Sequence, residues 1–141
     1  MELGIEASLS RNAKGLAFGD QMSETDLDFC YLTTTGRRSG LKRMIEIWFG
    51  LEEDNIYLLS GAGDSAQWVK NLIADDRVTI RLGKNTYPGT ARLVEDKEED
   101  AKARRLLAAK YQGWEPGKRL SGWARNSLAV AVELRRRSDQ S

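Results

Sequence analysis

Histidine is absent from the 141-residue sequence, and cysteine occurs once and proline twice. Without histidine, the chain has no imidazole to activate a nucleophile, so Asp, Glu, Lys, Tyr or a bound ligand must handle protons. Cys30 has no second cysteine to pair with, which excludes an intrachain disulfide. A structural zinc or copper site is not expected, because these metals rely on histidine and cysteine ligands. Such a composition suits a protein whose chemistry comes from an organic cofactor.

Long apolar runs and a strong net charge are also missing. No stretch approaches the roughly 20 apolar residues needed to span a bilayer, and residues 1–4 lack the basic start of a signal peptide. We therefore expect a cytoplasmic protein without a membrane span. The formal net charge of +1 argues against general nucleic-acid binding. With 40% hydrophobic residues, the chain is long enough for one domain with its own core.

Apolar residues recur at every second position in several short segments. Val78, Ile80 and Leu82 show the pattern, which is typical of strands with one buried face. Strands are predicted over residues 29–34, 43–52, 56–60, 78–82, 86–94 and 128–134. Half-buried strands favour an antiparallel sheet or barrel over a parallel sheet. The predicted fold class is therefore mainly β, with flanking helices.

Two helices are predicted between the strands. Asp64 or Ser65 is expected to cap a short helix over residues 66–74. A second helix is expected to begin in the acidic run 95–100 and to end near Lys110, with Gly113 just beyond it. Residues 1–26 are interpreted as an N-terminal helix or flexible arm, residues 27–137 as the folded domain and residues 138–141 as a tail.

The loop between the first two predicted strands combines glycine, arginine and hydroxyl side chains. Glycine lets backbone N–H groups turn toward one point, and arginine offers a planar fork of donors to phosphate or carboxylate oxygens. The expected anion-binding residues are Thr35, Gly36, Arg37, Arg38, Ser39, Lys42 and Arg43. An ordinary charged hairpin turn is the alternative that composition leaves open.

A second glycine-rich loop follows the predicted strand 56–60. Residues 61–66 read Gly-Ala-Gly-Asp-Ser-Ala and satisfy the dinucleotide-binding pattern G-x-G-x-x-A, which predicts a nicotinamide enzyme. However, the next strand ends in Gly83 without the acidic residue that would hold a ribose, and only one strand–helix–strand unit is available. We interpret Gly61, Ala62 and Gly63 instead as a loop that lets a flat ligand approach the backbone.

Aromatic and amide side chains share a face of the first predicted helix. Trp68 and Asn71 lie three residues apart, so the indole can pack on an aromatic ligand while the amide bonds its edge. From the residues alone, a core tryptophan and a solvent-exposed asparagine are the better interpretation. Tyr111, Trp114 and Trp123 precede the last strand and either cover one end of a barrel or wall a substrate space.

Five segments, in this order, resemble the deazaflavin-dependent nitroreductase family. They are residues 32–40 (LTTTGRRSG), 43–49 (RMIEIWF), 60–63 (SGAG), 68–72 (WVKNL) and 77–80 (RVTI). The family belongs to the flavin/deazaflavin oxidoreductases, and the similarity covers roughly residues 29–134. It implies a split β-barrel of about six antiparallel strands, like that of pyridoxamine phosphate oxidase.

The resemblance also implies a cofactor and an activity. Reduced coenzyme F420 would pass a hydride to a small electrophilic acceptor, quinone-like or nitroaromatic, so no side chain is expected to be catalytic itself. The cofactor's phosphate and acidic tail would be neutralised by Arg37, Arg38, Lys42 and Arg43, with Thr35, Ser39 and backbone N–H groups as further donors. The deazaflavin ring would be framed by Gly61, Ala62, Gly63, Gln67, Trp68 and Asn71. The expected partners are a small-molecule substrate and, in a homodimer, a second copy of the chain.

Three other functions stay open at this point. FMN could occupy the same barrel, because it needs the same anion-binding loop without the capacity for a long acidic tail. A non-catalytic carrier of flavin, haem or a fatty acid would bind its ligand without turnover. A nicotinamide enzyme built on residues 61–66 would oxidise NADPH directly.

Overall fold

Seven β-strands and three α-helices make up residues 23–136, the part of the chain that the computed structural model describes. The strands are β1 (Cys30–Thr35), β2 (Lys42–Ile47), β3 (Gly50–Glu52), β4 (Asn55–Ser60), β5 (Arg77–Leu82), β6 (Asn85–Leu93) and β7 (Leu128–Leu134). The helices are α1 (Gln67–Ala74), α2 (Lys97–Gln112) and α3 (Gly122–Asn126). All strands join one antiparallel sheet in the order β2-β1-β5-β6-β7-β4-β3, which confirms the mainly β prediction.

The predicted strand over residues 43–52 is divided in two at Trp48 and Phe49. β2 pairs only with β1, whereas β3 pairs only with β4, so the two pieces form opposite edges of the sheet. The backbone of Phe49 leaves the ladder because its N–H donates to the Tyr111 hydroxyl at 3.1 Å and its carbonyl accepts from Lys110 Nζ at 3.2 Å. Two residues therefore connect the sheet's edges, and the sheet must curl to bring those edges together.

Two hydrophobic clusters lie on the two faces of the curled sheet. The inner cluster includes Leu32, Ile80 and Val130, and Leu72 of α1 joins it. The outer cluster combines Tyr57 and Ala131 with Leu107 of α2. β4 and β7 are consequently buried on both faces, whereas the alternating pattern of residues 128–134 predicts one buried face. The difference arises because α2 covers the outer face of these two strands.

The helix ends show which local predictions hold. The Asp96 side chain accepts from the N–H of Glu99 at 2.8 Å to cap α2, and Gly113, with φ of 68°, ends it as predicted. Neither Asp64 nor Ser65 caps α1, because both lie in a 3-10 turn (Gly63–Ser65) and the N-cap position is occupied by Ala66. α3 was not predicted; its cap is the Ser121 hydroxyl, which accepts from the Ala124 N–H.

The predictions for the chain ends fall largely outside the described residues. Of the expected N-terminal arm, only residues 23–26 are described, and Glu24–Asp26 form a 3-10 turn. The expected tail, residues 138–141, lies beyond the described part. None of the helices within residues 23–136 has the length and apolar character needed to cross a bilayer.

An ion-pair network holds α2 against the outer face of the sheet. Arg92 of β6 donates two hydrogen bonds to the Glu99 carboxylate, at 2.9 and 2.8 Å, and the Tyr57 hydroxyl donates a third at 2.7 Å. The bonds from Arg92 are the main reason that the pKa of Glu99 is lowered to about 2. Ionised Glu99 is thus a structural link between the helix and two strands.

We predict that this link makes stability depend on pH in the acid range. Because the pKa of Glu99 is lower in the folded than in the unfolded protein, its contribution is complete above about pH 4.5 and is lost as pH falls toward 2. Glu99→Gln should reduce the free energy of unfolding at pH 7 by about 1.5–3 kcal/mol. Urea unfolding at several pH values would measure this.

The neighbouring change Glu98→Gln serves as the control, because Glu98 is exposed and forms no ion pair within residues 23–136. Its unfolding curves should follow those of the wild type from pH 7 to pH 3. Equal acid sensitivity in wild type and Glu99→Gln would contradict the assignment.

Candidate cofactor-binding cleft

A cleft of about 460 Å³ lies between the β1–β2 loop and the first turns of α1. This volume falls within the range of small-molecule sites. Its walls are Thr34, Gly36, Arg37, Arg38, Ser39, Arg43, Ile45, Gln67, Trp68 and Asn71. Eight of these ten residues belong to the candidate set from the sequence, so the fold brings the arginine loop and the aromatic helix face together.

The β1–β2 loop is closed by its own hydrogen bonds. The Gly36 N–H donates to Leu41 O and the Gly40 N–H to Gly36 O, each at 2.8 Å. Gly40 adopts a φ of 75°, and a Cβ at Gly36 would lie 2.8 Å from Ser39 Oγ, so both glycines are required by the turn. Within residues 23–136, the N–H groups of Arg38 and Ser39 have no acceptor. These two backbone donors are in exposed residues and are free to bond water or a ligand.

Three arginines give the cleft a positive charge that the described chain does not neutralise. Arg37, Arg38 and Arg43 form no ion pair with a carboxylate in residues 23–136, and no acidic residue lines the cleft. By contrast, Arg92 and Arg104 are each held by a carboxylate, at 2.8 and 2.6 Å. Three guanidinium groups around one cleft create a positive potential there. The arrangement therefore suits an anionic ligand better than an ordinary hairpin turn.

Asn71 connects the loop to the helix. It is buried, with 5% of its surface exposed, which excludes the solvent-exposed asparagine considered from the sequence. Its Oδ1 accepts from the Arg37 backbone N–H at 3.2 Å and from Arg37 Nη1 at 2.9 Å. Its Nδ2 donates to Thr34 Oγ1 at 3.3 Å. Most hydrogen bonds of the Asn71 amide therefore go to Arg37 of the β1–β2 loop.

The opposite side of the cleft is apolar and aromatic. Trp68 is half-buried, packs against the inner cluster and also lines the cleft, so it serves the core and the site together. Ile45 of β2 and Gln67, the first residue of α1, also line the cleft. A ligand with an acidic end and a flat aromatic end matches the two sides of this cleft.

Other predicted site residues lie outside the cleft walls. Lys42 Nζ donates to Thr35 Oγ1 at 3.0 Å, and strand alternation places both residues on the face opposite Thr34 and Arg43. Residues 61–63 follow β4, and a Cβ at Gly61 would lie 3.7 Å from Trp123 Cδ1. The structure thus separates these positions from the cleft lining.

The dinucleotide-binding interpretation of residues 61–66 does not fit the topology. That motif needs two parallel strands joined through the helix. Here β4 neighbours β7 and β3, while β5 neighbours β1 and β6, and every pairing in residues 23–136 is antiparallel. The G-x-G-x-x-A match is therefore a turn into α1 and not a nicotinamide site.

Thr34 and Ile45 line the cleft and were missed in the sequence. Ile45 lies two residues after Arg43 on the same strand, so alternation alone could have identified it. Thr34 is 2% exposed, and nothing in its local sequence distinguishes it from its neighbours. Its position became apparent only through Asn71, which is 37 residues away.

The aromatic residues near the last strand form a separate cluster. The rings of Trp48 and Tyr111 stack at 4.3 Å, and Trp123 meets Trp48 edge-on at 5.4 Å. Tyr111 and Trp123 pack against the outer cluster, so they cover the face of the sheet that carries α2. Trp114 donates from Nε1 to Lys118 O at 2.7 Å within the same connection.

A family profile covers almost the whole chain. The profile of the F420H(2)-dependent quinone reductases matches residues 4–135. The chain belongs to this family. It is accordingly an F420-dependent oxidoreductase, and the resemblance drawn from the sequence is confirmed. A comparison with curated proteins found no match.

Solved structures agree with this fold. An F420-H2 dependent reductase is 22% identical with a TM-score of 0.58, covering 75% of this chain and 94% of its own. A protein described as a domain-swapped dimer is 25% identical with a TM-score of 0.59, covering 81% and 86%. A Listeria innocua protein assigned to the pyridoxamine 5'-phosphate oxidases is 12% identical with a TM-score of 0.60, covering 80% and 88%. The fold is the split β-barrel of these oxidases.

The residues of the cleft fit the cofactor of this family. Coenzyme F420 carries a phosphate and an acidic tail at one end and a flat deazaflavin ring at the other. The unpaired arginines and the free N–H groups of Arg38 and Ser39 suit the anionic end, and half-buried Trp68 suits the ring. No metal-binding cluster of His, Cys, Asp and Glu exists in the described part of the chain.

We predict that Arg38 and Arg43 do not stabilise the folded protein. Arg38→Ala and Arg43→Ala should change the free energy of unfolding by no more than about 0.5 kcal/mol, because neither side chain has an ion-pair partner in residues 23–136. Arg92 forms an ion pair with Glu99, so the control variant Arg92→Ala should reduce the free energy of unfolding by about 1–3 kcal/mol. Urea unfolding of the three variants measures the contrast, and a large loss in Arg38→Ala would show that this arginine is structural.

Proposed function

We propose that the cleft binds coenzyme F420 and that the protein transfers a hydride from its reduced form to a small electrophilic, quinone-like or nitroaromatic acceptor. The observation that carries this proposal is the set of three arginines without carboxylate partners in a cleft that also presents Trp68. Arg37, Arg38 and Arg43 hold the phosphate and acidic groups. Trp68, Gln67 and Ile45 contact the deazaflavin ring.

Residues outside the cleft walls have supporting roles in this proposal. Lys42, bonded to Thr35, adds positive charge to the same hairpin without lining the cleft. Residues 61–63 lie between β4 and α1, so they set the start of the helix that carries Gln67 and Trp68. Ser39 contributes its N–H group and its O–H group, because the hydroxyl oxygen accepts from the Leu41 N–H at 3.1 Å and its hydrogen stays free to donate.

The protein's own contribution is binding, orientation and exclusion of water. When bound, reduced F420 supplies the hydride from the central carbon of its ring. None of the residues that line the cleft is a carboxylic acid, lysine, tyrosine or cysteine. The cleft therefore holds the cofactor through permanently charged guanidinium groups and neutral donors, and its charge does not change across the physiological pH range.

FMN is the second candidate for the same barrel. It carries one phosphate, whereas the loop offers three unpaired arginines and Lys42 on its other face. This positive charge exceeds what a single phosphate requires, which favours the more acidic F420. The family assignment supports the same choice.

We predict that oxidised F420 binds more tightly than FMN or NADPH. Titration of the protein into each cofactor, followed by the cofactor's own fluorescence, gives the three dissociation constants. Arg38→Ala should weaken F420 binding by about 1.5–3 kcal/mol, because a charge-assisted hydrogen bond is lost. The matched control is Arg105→Ala, an exposed arginine of α2 without an ion pair in the described residues.

Two results would overturn the cofactor proposal. One is FMN binding as tight as that of F420 or tighter. The other is equal F420 affinity in Arg38→Ala, Arg105→Ala and wild type. Oxidation of reduced F420 by a generic quinone then tests the reaction, and a protein that binds F420 without turnover would be a carrier.

We also propose that the protein works in the cytoplasm as a homodimer. β2 has no buried residue, and Leu41 and Met44 expose 61% and 60% of their surfaces. This edge has the apolar character of a surface that a second copy covers. The protein described as a domain-swapped dimer supports the assembly. Light scattering of wild type and Met44→Lys decides it, with a monomeric wild type as the contradicting result.

A further inference from the structure

Asn71 is the least exposed of the polar residues that line the cleft, apart from Thr34. A buried amide requires partners for its oxygen and its nitrogen. Both acceptor positions of Asn71 Oδ1 are taken by Arg37, through the backbone N–H at 3.2 Å and through Nη1 at 2.9 Å. One Nδ2 hydrogen is taken by Thr34 Oγ1 at 3.3 Å. Little of the amide is left for a ligand.

The partner of Arg37 is neutral, and this distinguishes it from the structural arginines. Arg77, Arg92 and Arg104 are oriented by carboxylates, which cancel most of their charge. An amide oxygen also orients a guanidinium group, here through one bond from Nη1, and it leaves the positive charge intact. Arg37 is therefore held in one direction while its charge stays available to an anion.

The same amide also ties the two ends of the cleft to each other. Asn71 lies three residues after Trp68 on α1, and it holds the backbone of Arg37 at the start of the loop. Asn71 thus links the anion-binding end to the aromatic end directly, beside the packing of α1 on the sheet.

We propose that Asn71 is a positioning residue that orients Arg37 toward the anionic groups of the cofactor without neutralising it. This inference rests on the proposed function of the cleft. Asn71 acts through Arg37 and not through a direct contact with the deazaflavin ring. The two roles differ in how substitutions at positions 37 and 71 combine.

A double-mutant cycle tests the claim. Arg37→Ala should weaken binding of oxidised F420 about 10- to 100-fold, and Asn71→Leu about 3- to 10-fold. In the Arg37→Ala background, Asn71→Leu should change the dissociation constant less than twofold, because the residue it positions is gone. If the fold-loss of affinity in the double variant equals the product of the two single-variant losses, Asn71 acts independently of Arg37 and the proposal is overturned.

Asn71→Asp provides a variant that keeps the fold. The carboxylate preserves the acceptor for Arg37 and gains an ion pair, and the Thr34 hydroxyl donates to it in place of accepting. Thermal stability should stay close to that of wild type, but F420 binding should weaken and depend less on salt, because the charge of Arg37 is cancelled. Wild-type affinity in Asn71→Asp would overturn the role of the neutral amide. Asn126→Leu, an exposed asparagine of α3, controls for the substitution itself.

Steady-state kinetics separate positioning from ring contact. With reduced F420 and a generic quinone, Asn71→Leu should raise KM for the cofactor and leave kcat within about twofold, because ground-state binding is what it loses. A drop in kcat at saturating cofactor, with KM unchanged, would assign Asn71 to the ring instead.

Inorganic pyrophosphate distinguishes failure of this inference from failure of the proposed function. The cycle is repeated with calorimetric titration of pyrophosphate, which tests the anion-binding end alone. Coupling between positions 37 and 71 toward pyrophosphate, in a protein that does not bind F420, would support the positioning role and reject the cofactor. A wild-type protein that binds neither anion would overturn both.

Discussion

The two-residue connection at Trp48 and Phe49 is the constraint on which the barrel depends. Because it joins strands at opposite edges of a seven-stranded sheet, the sheet must curl until those edges approach each other. Side chains of α2 hold this connection, because the Tyr111 hydroxyl accepts from the Phe49 N–H and Lys110 Nζ donates to the Phe49 carbonyl. Helix α2 is in turn held on the sheet by the pairing of Arg92 with Glu99.

Two groups of arginines can be distinguished, those paired with carboxylates in the fold and those that line the cleft. The arginines that fasten the fold, such as Arg92 and Arg104, point at carboxylates, whereas those in the cleft have none in the described residues. Arginines of the first group lose hydration and gain an ion pair, so their positive charge is not available to a ligand. The charge of the second group is not cancelled by any carboxylate in the described residues. A cofactor with several negative charges is therefore compatible with a chain whose net charge is only +1.

The cleft exists because the curled sheet brings the β1–β2 loop against α1. Arg43 and Ile45 reach it from one strand, and Trp68 and Asn71 reach it from one helix face. The hydrogen bonds between Asn71 and Arg37 make these two elements one unit. A rigid unit of this kind suits hydride transfer, because the distance between ring and acceptor strongly affects the rate.

Local sequence determined the strands, the end of α2 at Gly113 and most of the cleft. The alternation of apolar residues, helix capping and turn chemistry each involve only a few neighbouring residues. They can therefore be recognised in the sequence before the tertiary structure is known. The break between β2 and β3 at Phe49 could not be predicted from local sequence, because it is caused by a hydrogen bond to Tyr111, 62 residues away. The burial of both faces of β4 and β7 likewise depends on α2. For Trp68 and Asn71, the helical spacing was correct from the sequence, but only the tertiary structure decided that Asn71 faces Arg37 and Thr34. A side chain's neighbours in sequence determine its direction, whereas its partners depend on which distant segments the chain folds against it.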